Sequence, residues 1–253
     1  MDPRRLAYLK ALEIDVWERR DGSARAAVPQ PQPAVAEPVV RATPQVKVVP
    51  PPAELPSDDA GVAGMNWEEL ATAVRSCTKC PLHATRTNGV FGVGDRSARW
   101  LIIGEAPGSE EDKQGEPFVG RAGQLLNSML KAIGLAREQV FIANILKSRP
   151  PNNRDPKPEE VRACIPYLYR QIELLNPTLI LCVGRIAAQT LLDVDTPIGK
   201  LRGTVHRIAA NRPMVVTYHP AYLLRSPVEK RKSWADLLLA MRTFETLQSG
   251  ATA

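Results

Sequence analysis

The side chains with most chemistry to offer are Glu105 and Glu111 in GEAPGSEEDKQGEPFVG (104–120), Asn144 in QVFIANIL (139–146) and His219 at the end of PMVVTYH (213–219). Carboxylates can orient water or favour a cation. A carboxamide donates and accepts in one plane, and an imidazole can donate to a developing anion. Taken singly, each has an ordinary explanation: Gly104 and Gly108 as turn residues, Asn144 as a satisfied buried amide, His219 as a loop histidine before Pro220. What distinguishes them is that all three segments follow or close an apolar run. A fourth segment, NILKSRPPNNRDPKPEE (144–160), breaks from its apolar run into a loop with Lys147, Arg149, Arg154 and Lys157. Cys77 and Cys80 form a C-x-x-C pair, with Cys164 and Cys182 further along.

The elements that must position these residues alternate. RWLIIG (99–104), QVFIANIL (139–146), PTLILCVG (177–184) and PMVVTYH (213–219) read as strands. AGQLLNSMLKAIG (122–134), KPEEVRACIPYLYRQIELLN (157–176) and RIAAQTLL (185–192) read as helices, and a final helix begins near Pro227. Such alternation predicts an α/β fold with a mostly parallel sheet covered on both faces. Ligands in such sheets bind beyond the carboxyl ends of the strands. Glu105, Asn144 and His219 are therefore expected at one rim, with Cys182 as a buried strand cysteine.

Composition bounds the rest. The chain has 253 residues, 44% of them hydrophobic, enough for a full core. The sequence has no long apolar run, and its amino terminus is charged, so a cytoplasmic protein is expected. Cysteines in a reducing compartment favour metal ligation or burial over disulfides. Residues 1–25 suggest a short helix or tip, a candidate dock for a protein partner. Residues 26–64 suggest a Pro/Ala-rich, disordered linker, and residues 65–250 the globular domain. Residues 65–253 carry 25 basic and 18 acidic side chains, an excess that favours a polyanionic partner such as nucleic acid.

Four motifs in order, CTKC (77–80), GEAPGSEEDKQGEPFVGRAG (104–123), NILKSRPPNNRDPKPEE (144–160) and HPAYLLR (219–225), resemble those of the family 4, iron–sulfur type of uracil-DNA glycosylase. The resemblance spans about residues 66–247. It implies a three-layer α/β/α sandwich and hydrolytic removal of uracil from DNA, which requires flipping the nucleotide into a pocket. It implies that Gly104, Phe118 and Asn144 bind the base, Phe118 by stacking and Asn144 by donating to O4 and accepting from N3–H. Glu105, Glu111 and His219 become the catalytic candidates, His219 near uracil O2. Ala106 stands where some other glycosylase families carry a water-activating Asp or Asn, which leaves the general base open.

The resemblance thus implies a monomeric, nucleoid-associated protein and, as the polyanion, uracil-containing DNA. Lys147, Arg149, Arg154, Lys157 and Arg225 can meet its phosphates, with Leu223 and Leu224 as apolar wedges. The resemblance also implies a [4Fe–4S] cluster on Cys77, Cys80, Cys164 and a fourth cysteine, whose position is held here by Ser148. Three outcomes are open: a cluster held by three cysteines plus Ser148 or water, a zinc ion held by Cys77, Cys80, Cys164 and His83, or no metal. The rival reading is a catalytically silent DNA-binding module that recruits partners through its amino-terminal extension. A relative that traps DNA covalently through a loop histidine is disfavoured, because the basic loop has no histidine.

Overall fold

A computed structural model describes residues 61–208 and 211–249. The readings for residues 1–25 and for most of 26–64 lie outside the described residues. Val62, assigned by sequence to the linker, is buried in the core, so the globular part reaches back at least that far.

Six strands form one sheet: β1 (Val93–Gly94), β2 (Trp100–Gly104), β3 (Phe141–Asn144), β4 (Leu179–Val183), β5 (Val205–Ile208) and β6 (Arg212–Thr217). Their order is β1-β3-β2-β4-β6-β5. The four inner strands are parallel, and β1 and β5 close the two edges antiparallel. Every residue of β2, β3 and β4 is buried, which is why they read as unbroken apolar runs and not as alternating ones.

The described helices are α1 (Trp67–Arg75), α2 (Ser109–Gln114), α3 (Arg121–Ala132), α4 (Pro158–Leu175), α5 (Arg185–Leu192), α6 (Ile198–Leu201), α7 (Pro220–Arg225) and α8 (Lys230–Ser249). Successive strand residues point to opposite faces. Leu101 and Ile103 join one core cluster with Leu70 of α1, Leu168 of α4 and Leu191 of α5. Trp100 and Ile102 join the other with Leu126 of α3 and Leu237 of α8. The result is the expected α/β/α sandwich.

Helix α1 is fixed by a reciprocal cap. The Asn66 side chain accepts from the amides of Glu68 and Glu69 at 2.9 and 3.0 Å, and Glu69 accepts from the Asn66 amide at 2.9 Å. At the far side of the sheet the parallel strands end in register, Gly104 opposite Asn144. The chain leaving each strand end supplies the site.

Candidate active site

Beyond those strand ends lies a cavity of about 740 Å³ lined by Glu105, Glu111, Phe118, Asn144 and His219, among others. Gly104 packs against two of these residues. A Cβ there would lie 2.5 Å from Asn144 Oδ1 and 2.6 Å from Phe118 Cζ, so only glycine lets the amide and the ring approach this closely.

Phe118 adopts a left-handed backbone conformation, φ 54°, unusual for a bulky residue. Three neighbours hold it there. Arg137 donates to the Phe118 and Pro117 carbonyls at 3.2 and 2.6 Å. Gly123 lies so close that a Cβ would fall 1.8 Å from the Phe118 carbonyl oxygen. Glu111 accepts from the next two amides, Val119 and Gly120, both at 3.0 Å, and from Gly108 at 3.1 Å. Glu111 thus lines the cavity with both oxygens committed to backbone amides, an arrangement suited to bracing the Phe118 loop. The Phe118 ring stands 5.5 Å from the His219 ring, tilted 30°.

Asn144 is 2% exposed, and its Oδ1 is buried without a hydrogen-bond partner. Such an acceptor is unfavourable by about 1–3 kcal/mol until something donates to it. At His219, the Ala221 amide donates to Nδ1 at 3.1 Å. The neutral ring therefore carries its proton on Nε2. Burial pushes this imidazole down to about 4, Arg225 adding to the effect and Glu111 opposing it. Burial pushes the Glu105 carboxyl up to about 7, Asp155 adding and Arg185 opposing.

The basic loop needs correction. Lys147 was expected on DNA phosphates but is 1% exposed. Its ammonium donates to the Asn144 carbonyl at 2.9 Å and to Gln171 Oε1 at 2.6 Å, so it ties β3 to α4 from inside. Leu223 is likewise no free wedge: at 1% exposed it packs in the core with α3. Leu224 is partly buried against the same cluster. Arg154 grips Glu160 with both guanidinium nitrogens, at 2.9 and 2.5 Å, while lining the cavity. Arg149 donates to Asn153 Oδ1 at 2.8 Å. Lys157 and Arg225 are exposed.

The cysteine region is arranged around hydrogen bonds to sulfur. Cys164 Sγ accepts from the Lys147 amide at 3.1 Å and Cys77 Sγ from the Tyr167 hydroxyl at 3.4 Å. Ser148 Oγ accepts from Arg86 at 2.7 Å, and the same guanidinium donates to the Arg75 and Cys77 carbonyls. Burial pushes the Cys80 thiol up and the Cys164 thiol to about 12. Among the described residues no three His, Cys, Asp or Glu side chains converge as a single-ion site. The zinc set is not assembled, because His83 is exposed and pairs through Nδ1 with the Cys80 carbonyl at 2.8 Å. Cys182 is buried in β4, as expected.

Among the cavity residues that escaped sequence reading, Asp155, Arg185, Tyr218 and Tyr222 have the most chemistry to offer. Arg185 carried the available signal, since it follows the carboxyl end of β4, where the strand-end rule would have placed it. Its Nη2 pairs with Asp155 Oδ2 at 2.8 Å.

A parallel sheet with a buried, unpartnered carboxamide oxygen and a shielded imidazole beyond its carboxyl edge defines an α/β protein with a polar cavity at its strand ends. The family model described as the uracil DNA glycosylase superfamily matches residues 91–238. A type-4 uracil-DNA glycosylase of Archaeoglobus fulgidus is 48% identical over 176 residues, 67% of this chain and 88% of its own. One from Pyrobaculum aerophilum is 43% identical over 182 residues, covering 69% and 93%. One from Thermotoga maritima is 46% identical over 160 residues, covering 63% and 83%. The chain belongs to the uracil DNA glycosylase superfamily, within its type-4 branch. No helix among the described residues is long and apolar enough to cross a membrane.

Proposed function

We propose that this protein is a DNA repair glycosylase that hydrolyses the N-glycosidic bond of a flipped deoxyuridine, leaving free uracil and an abasic site. The observation that carries this is the buried, unpartnered Oδ1 of Asn144. Uracil presents an N3–H to that acceptor, and its O4 accepts from the Asn144 amide. Cytosine reverses both groups, leaving the pocket and base unpaired at a cost of about 1–3 kcal/mol per buried group. Phe118, braced by Arg137 and Glu111, supplies a ring for the base.

Bond cleavage builds negative charge on the departing uracil and positive charge on the sugar. His219 Nε2–H serves as a neutral donor at O2, a preorganised dipole that needs no prior protonation. Glu105, in its carboxylate form, favours the cationic sugar and orients the attacking water. Its position near pH 7 sets a sign. The active carboxylate is the minor form at pH 6 and the major form at pH 8, so the saturated rate is expected to rise about tenfold over that interval. His219, neutral well above pH 4, adds no inflection there. Release of free uracil measured against pH in the wild type and in Glu105→Gln tests this. A flat wild-type profile removes Glu105 from the chemistry.

The cysteine region fits a cluster in part. Cys77, Cys80 and Cys164 would hold a [4Fe–4S] centre, with N–H and O–H donors already directed at two of the sulfurs and Ser148 at the fourth position. The centre would supply structural bracing of the segment before β2 against α4. The expected result is anaerobically purified protein that carries iron and sulfide but loses them faster than Ser148→Cys, with little change in saturated excision rate. Iron absent from both proteins would remove the cluster from the account.

A further inference from the structure

Four side chains form a column that ends at the lining of the cavity. Asp236, 1% exposed, accepts from Arg202 Nε at 2.7 Å and fixes the guanidinium. That guanidinium lies 4.5 Å from the centre of the Tyr218 ring. The Tyr218 ring in turn lies 5.0 Å from that of Tyr222, tilted 42°. Tyr222 lines the cavity. At 36% exposed it is one of two large hydrophobic side chains left open among the described residues, the other being Val228.

Helix α7 explains the arrangement. Leu223 turns into the core, while Tyr222 and Arg225, three residues apart, share an outward face. An aromatic ring and a cation thus stand together in the lining of the cavity.

We propose that Tyr222 is a stacking subsite for the nucleobase adjacent to the extruded uracil, with Arg225 meeting the phosphate beside it. The proposal rests on the glycosylase reading above. Extrusion strips the neighbouring base of a stacking partner, and an aromatic ring can replace that partner whatever the sequence, because every base has a π-face. Arg202 and Tyr218 hold the ring before DNA arrives, so little side-chain freedom is lost on binding. The subsite also supplies what Leu223 cannot, an apolar surface already at the rim.

A binding cycle tests this. Oligonucleotides carrying an uncleavable 2′-fluoro-arabino uridine are compared with versions in which the 5′ or the 3′ neighbouring base is replaced by a tetrahydrofuran abasic unit. Wild-type affinity, read by fluorescence anisotropy, is expected to fall about tenfold on removal of the base on one side. Tyr222→Ala should bind the intact oligonucleotide at that lower level and lose nothing further, whereas Tyr222→Trp should behave as wild type. Equal losses for wild type and Tyr222→Ala, or no loss for either, overturn the subsite. Uracil release from unmodified oligonucleotide is followed in parallel. Release without coupling sinks the subsite alone, and coupling without release sinks the glycosylase reading alone.

Discussion

Asn144→Asp is expected to fold normally and to excise uracil about a hundred- to a thousandfold more slowly at saturation. Asn144 ends β3, and its backbone carbonyl is held by Lys147, contacts the substitution leaves in place. What changes is the donor. An ionised carboxylate only accepts, so it opposes uracil O4 while still accepting from N3–H. Asn144 is almost wholly buried, and a low local dielectric strengthens that opposition. Single-turnover excision beside a thermal melt is the measurement. A folded variant with wild-type uracil kinetics would remove the amide from base reading.

His219→Ala carries the second large effect. The Nε2–H of His219 is the pocket donor assigned to the developing uracil anion, and removing one such donor lowers rates about 10²- to 10³-fold. The substitution also removes the Nδ1 acceptor for the Ala221 amide, a helix-cap loss of about 1 kcal/mol. His219→Gln, which keeps a neutral donor, should recover part of the rate. The pH profile of both variants should retain the Glu105 inflection near 7, since that group is untouched. If His219→Ala loses affinity for DNA but not saturated rate, the imidazole binds substrate without acting on the leaving base.

Much of this site could be read in the sequence because parallel strands are buried on both faces. Their apolar runs mark where each strand stops, and the rim begins at that point. Glu105, Asn144 and His219 were placed at the rim by that rule alone, and α5 was read with its observed bounds. The edge strands were not read. β1 has two residues, and β5 (V-H-R-I) breaks its apolar run with His206 and Arg207, so neither stands above loop sequence. Helix α1 was missed although its Asn66–Glu69 cap was legible.

The misplaced residues share one cause: composition does not say which way a side chain faces. Lys147 looks like a phosphate ligand but follows buried Ile145 and Leu146, whose amides still pair with Gly104 and Glu105 beyond β3. Its ammonium is therefore carried inward. Leu223 looks like a wedge, but the single turn of α7 gives the core to it and the surface to Tyr222 and Arg225. The Asp236–Arg202–Tyr218–Tyr222 column joins residues from three separate segments, so no local pattern announces it.

The central claim is glycosidic cleavage at uracil, and its most direct measurement uses three end-labelled oligonucleotides that differ at one position, uracil, cytosine or thymine. Each is incubated with the protein and then treated with alkali, which breaks the strand at abasic sites. Breakage at the uracil position only, dependent on protein and accompanied by one free uracil per break, is the predicted result. Tight binding of all three strands with no breakage would contradict it and leave a DNA-binding module of the same fold.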